Sequence, residues 1–165
     1  MSLDPPLRAC WMKQGEQKGI PATKPGTKQK FHIFGGYDWE TDEVTWTMAE
    51  TKNSETFIVF LEELLLRRYP DKPVILVMDN VSYHKSTAVM AFLSLFEHRV
   101  RIVWLPPYCS HLNSIERYWR HLKDMVAANR LAESLDMLCS AAEKTLVRQN
   151  QPDSATRFHL SKNFR

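Results

Sequence analysis

Two short apolar runs constrain the fold more than anything else in the chain. PVILVMD covers Pro73–Asp79 and VRIVWLP covers Val100–Pro106. Each is rich in β-branched residues and too short for a typical helix, so each is expected to be a strand buried on both faces. Between them, STAVMAFLSLF sets Val89, Phe92, Leu93 and Phe96 on one helical face at spacings of three and four. A strand, a helix and a second strand in that order imply a parallel pair joined by a helical crossover.

The flanking segments extend this unit. KFHIFGGYDW and EVTWTMAE read as a hairpin that turns around Glu40–Asp42, with Val44, Trp46 and Met48 on one face. NSETFIVFLEELLLRRY reads as a helix capped by Asn53 or Ser54 and stopped by Pro70 and Pro73. Its inward face is Phe57, Phe60, Leu61, Leu64 and Leu65. NSIERYWRHLKDMVAANR and ESLDMLCSAAEKTLVRQN give two more helices, the first with Tyr118, Trp119, Leu122 and Met125 as its apolar positions. The order β-β-α-β-α-β-α-α predicts an α/β domain with a mixed sheet over residues 31–150, between an irregular basic arm (1–30) and a polar tail (151–165).

No apolar run approaches the roughly 20 residues of a membrane span. The start carries no apolar leader. A cytoplasmic, nucleoid-associated protein with reduced thiols at Cys10, Cys109 and Cys139 is therefore expected. The net charge of +3 permits a nucleic-acid partner without requiring one. Candidate phosphate contacts are Lys13, Lys18, Lys24, Lys28 and Lys30 in the arm, and Arg117, Arg120 and Lys123 on the later helix.

The chemistry concentrates where the two runs end. In open α/β sheets, ligands bind beyond the carboxyl ends of the strands. Asp79 stands at such an end, in LVMDNVSYHKS. In WLPPYCSHLNSIERYWRHLK, Pro106 and Pro107 close the next strand, Asn113 or Ser114 opens a helix, and Glu116 falls in its first turn. Each acid has a plain structural use, Asp79 as a cap and Glu116 against the helix dipole. Together at one sheet edge they can share divalent cations, and a two-metal pair clamps both oxygens of a phosphoryl transfer.

VMDNVSYH with LPPYCSHLNSIERYWRHLK resembles the DDE transposases, in the bacterial insertion-sequence branch related to mariner-type elements. CWMKQGEQ, FHIFGGYDWETDEV, NSETFIVFLEELL and VAANR are similar to its other segments, in the same order. Thirty-six residues lie between Asp79 and Glu116, as that family spaces them. The resemblance implies a ribonuclease H-like fold and DNA strand cleavage and transfer dependent on Mg²⁺ or Mn²⁺. It makes Asp79 and Glu116 catalytic metal ligands, with Asn80, His84 and Asn113 shaping the site. Double-stranded DNA and a second copy of the chain are the implied partners; no nucleotide cofactor or membrane is.

Two departures stand out. Ser110, His111 and Ser114 replace the prolines and acid of the family's loop. The family's first carboxylate should precede Trp11 by more than ten residues, and the chain starts too late for it; Asp4 and Asp38 are poor substitutes. Impaired chemistry is therefore expected, with a catalytically dead DNA-binding or dimerisation module as the alternative. The implied first strand is also missing, so LRACWM or a strand of a second molecule is expected to fill the sheet. A zinc site of Cys109, His111 and His121 is a weaker reading, since Cys-x-His is not the usual spacing.

Overall fold

The computed structural model describes Met1, Gly19, residues 30–107, Cys109, and residues 112–128, 132–155 and 157–159. Strand β1 (His32–Tyr37) pairs antiparallel with β2 (Val44–Ala49), in the register Tyr37↔Val44 to His32↔Ala49. Strand β3 (Val74–Met78) pairs parallel with β4 (Val100–Trp104), from Val74↔Val100 to Met78↔Trp104. Helix α1 (Ser54–Glu62) continues as a wide π turn over Glu63–Arg68, and α2 (Thr87–Ser94) bridges β3 and β4. Helices α3 (Ser114–Ala127) and α4 (Leu135–Gln149) complete the order.

Local chemistry sets these boundaries. Asn53 closes a capping box: its Oδ1 accepts from the Thr56 amide at 2.9 Å, and its own amide donates to Thr56 Oγ1 at 3.2 Å. At the far end, the Arg99 guanidinium donates to the carbonyls of Leu65 (2.7 Å), Tyr69 (2.9 Å) and Lys72 (3.1 Å). The Leu65 and Tyr69 carbonyls lie at the helix end, where helical partners run out, so Arg99 closes the helix and ties it to the start of β4. The hairpin turn needs a left-handed residue, and Asp42 supplies it at φ 56°.

All five apolar residues expected to face inward from this helix are buried. With Phe34, Met78, Val89, Leu93 and Val100 they form one core between α1, α2 and both strand pairs. The helix forecast for residues 86–96 is shorter, and Phe92 and Phe96 are only half-buried beside that core. A second packing layer sets Tyr118 and Leu122 of α3 and Leu146 of α4 against Val44, Tyr37 and Trp46. Met125 is 44 % exposed, although it lies seven residues beyond Tyr118 on the same face of α3.

The expectation that both apolar runs are buried on two faces is corrected. Ile75 is 68 % exposed, Val77 50 % and Val103 42 %, while the alternate residues of β3 line the core. Helices α1 and α2 cover one face of this parallel pair, and among the described residues none covers the other. Nor do the strands form one sheet. Among the described residues β1 pairs with β2 and β3 with β4, with no ladder between the pairs. Met1 and Phe31 exchange backbone hydrogen bonds at the lead into β1, but LRACWM lies outside the described residues.

The tail is bound rather than free where it is described. Phe158 exchanges hydrogen bonds with the Gln149 side chain at 2.8 and 2.9 Å, and His159 Nδ1 lies 2.8 Å from Asp42 Oδ2. Asn150 closes the outer edge of β2, accepting from the Val44 amide and donating to its carbonyl.

Candidate active site

The carboxyl end of β3 delivers Asp79 to the sheet edge. The Leu105 amide donates to the Met78 carbonyl at 2.8 Å, and the Asn80 side chain donates to the Leu105 carbonyl. These bonds lock the exits of β3 and β4 together. A short 3-10 turn over Ser82–Lys85 then brings His84 back over Asp79.

His84 is wedged between rings, with centroids 4.1 Å from Phe57 and 4.4 Å from Tyr83. Its Nδ1 lies 2.9 Å from Asp79 Oδ1 and 3.4 Å from the Asp79 carbonyl. The carboxylate approach is misaligned, and Oδ1 is buried without a hydrogen bond. Burial lowers the His84 pKa and outweighs the pull of Asp79, with Lys52 adding to the lowering. The imidazole is accordingly neutral near pH 7 and does not neutralise the carboxylate. Burial, then the charge of Asp79, pushes the Tyr83 phenol up to about 12.

A buried anionic oxygen met only by a misaligned, neutral imidazole is poorly compensated, at a cost on the order of 1–3 kcal/mol. At a rigid strand end it suits a hard cation, which takes oxygen donors and completes its shell with water or phosphate. The donor chemistry at Asp79 therefore fits a divalent metal. Glu116 is exposed on the first turn of α3. Asn113 occupies the cap position there without a side-chain hydrogen bond. Among the described residues no three His, Cys, Asp or Glu side chains gather to hold a metal. The structure thus joins Asp79, Asn80 and His84, and sets Glu116 on the first turn of α3.

Asp38 is committed elsewhere. Its carboxylate accepts from the Tyr69 hydroxyl at 2.6 Å and from the amides of Glu40 and Thr41. Burial would raise its pKa, but these hydrogen bonds outweigh burial and hold it below the usual value. It braces the hairpin. Asp4, Lys13, Lys18, Lys24, Lys28 and His111 lie outside the described residues. Lys30, Arg117, Arg120 and Lys123 are exposed, and His121 stacks on Phe158 at 5.0 Å.

Sequence reasoning missed two cations and a glycine. Lys52 Nζ sits 5.4 Å above the Tyr83 ring, and Lys85 Nζ 4.6 Å above Trp104. Gly35 lies where a Cβ would stand 2.6 Å from Trp119 Cη2, so α3 reaches β1 only over a bare backbone. The Gly35–Gly36 pair inside a strand was a readable signal of such an approach; the lysines had none beyond lying next to the motifs.

The buried, neutral His84 makes stability depend on pH. A His with lowered pKa contributes stability present above its ordinary 6.5 and lost as pH falls through the folded value. Between about pH 7.5 and about pH 5 the urea midpoint is expected to fall more steeply for the wild type than for His84→Gln. His32, also lowered by burial, leaves a residual slope in both. Equal slopes would contradict a buried neutral His84.

The sequence model of the DDE superfamily endonuclease family matches residues 1–139. The insertion element IS630 uncharacterized 39 kDa protein of Shigella sonnei is 29% identical over 133 residues, covering 81% of this chain and 38% of that protein. This chain thus spans well under half of that relative's length. The Mos1 transposase paired-end complex with left transposon end matches at TM-score 0.67 and 16% identity, over 89% of this chain and 45% of that one. The Mos1 strand transfer complex matches at 0.63 and 15%, over 87% and 43%. The likeness shows that the two strand pairs and four helices are a ribonuclease H-like arrangement. Among the described residues no helix is long and apolar enough to cross a membrane.

Proposed function

The chain belongs to the DDE superfamily endonucleases, and on that premise we propose that it is the catalytic segment of an insertion-sequence transposase, cleaving and transferring DNA strands. The observation that carries this is the buried Asp79 oxygen, approached only by the misaligned, neutral His84 imidazole, at a strand end inside the matched segment. Asp79 and Glu116 would hold Mg²⁺ or Mn²⁺, which when bound supplies Lewis-acid activation of a nucleophile and charge neutralisation at phosphorus. The chain's own residues prepare the place. Asn80 fixes the strand end, and His84 packs over the carboxylate while staying neutral. Phe57 and Tyr83 hold that imidazole between their rings.

DNA is the proposed partner, in keeping with neighbours whose structures hold transposon ends. A second reading is a DNA-binding or dimerisation module without chemistry. One observation favours it: no three-ligand group gathers among the described residues. Nicking of supercoiled plasmid decides between them. Relaxation that needs Mg²⁺ or Mn²⁺ supports the enzyme; intact plasmid at every metal concentration, with DNA still bound, supports the module.

A further inference from the structure

We infer that Lys52 and Lys85 are a pair of phosphate contacts that seat a nucleic-acid strand across Asp79. The inference rests on the proposed site and names how that site takes its substrate. A carboxylate that must meet a phosphodiester faces charge repulsion, and only nearby cations offset it. Most arginines near the core are spent elsewhere. Arg99 serves three carbonyls, while Arg67 and Arg68 pair with Glu63 and Glu43. Among the described residues, Lys52 and Lys85 pair with no carboxylate.

Their placement brackets the acid. Lys52 immediately precedes the cap of α1 and stands over Tyr83, beside His84. Lys85 follows His84 and stands over Trp104, whose strand partner Met78 is the residue before Asp79. Both side chains are exposed. An exposed ammonium over a ring is held only weakly. That is enough to orient it and too little to withhold it from a phosphate oxygen. The resulting order along the edge is cation, aromatic, acid, aromatic, cation. It fits a sugar–phosphate backbone, with one phosphate on each lysine and the bond between them over Asp79.

The test is the salt dependence of binding of the full chain to a short labelled DNA duplex, read by fluorescence anisotropy in chelator. Each phosphate contact contributes roughly 0.9 to the log–log slope. Lys52→Ala and Lys85→Ala are each expected to flatten the slope by about 0.9, and the double variant by about 1.8. Lys72→Ala, exposed before the opposite end of β3, is expected to leave it unchanged. A double variant with the wild-type slope overturns the inference, as does an equal loss in Lys72→Ala. Nicking by the wild type is scored separately. Nicking with an unchanged slope sinks the lysine pair alone, and a lysine-dependent slope without nicking sinks the catalytic proposal alone.

Discussion

Asp79→Ala is expected to lower metal-dependent nicking by about a thousand-fold or more, a loss of about 4 kcal/mol of transition-state stabilisation. The size follows from where the side chain stands. Asp79 is fixed by β3, by the Leu105–Met78 bond and by Asn80, so no neighbour swings in to replace it. His84, the nearest polar group, is neutral and wedged against Phe57. Because the 2.9 Å approach of His84 Nδ1 to Asp79 Oδ1 is misaligned and makes no hydrogen bond, the substitution gives up little structural contact there. Folding stability should therefore hold or rise while nicking falls. A parallel loss of stability and nicking would mean that the residue is structural. Gel quantification of relaxed plasmid, with a urea curve of the same sample, separates the outcomes.

Gly35→Val is expected to be the most damaging single change to the fold, at about 3 kcal/mol or more. Even the first added carbon would stand 2.6 and 2.7 Å from two atoms of Trp119 and 3.2 Å from the Thr45 carbonyl oxygen. Trp119 cannot simply turn aside, because it packs on Tyr118, which is fully buried. The strain must move α3 off β1, and Glu116 rides on the first turn of α3. Lower stability and weaker nicking are expected together, the reverse of the Asp79→Ala pattern. A urea midpoint within error of the wild type would show that the β1–α3 contact yields cheaply.

Local patterns carried well from sequence to structure. The face of α1 and its π continuation was legible because five large residues repeat at helical spacing and a capping residue precedes them. The turn at Glu40–Asp42 was legible from the two strand patterns around it. The exposed face of β3 was not. Ile75 and Val77 look alike in sequence whether a second layer covers them or not, since burial belongs to the neighbours and not to the run. The site was half legible. Asp79, Asn80 and His84 meet because they are close in sequence and a single tight turn closes them. The relation of Glu116 to them depends on a long connection through residues 106–113. Lys85 over Trp104 joins two strand exits, which no periodicity records.

The central claim is that the Asp79 carboxylate is a metal ligand. Calorimetric titration of Mn²⁺ into the chain and into its Asp79→Ala variant tests it most directly. Saturable binding in the wild type that disappears in the variant is the predicted result. Equal binding in both, or none in either, would contradict it and leave a ribonuclease H-like module that holds DNA without cutting it.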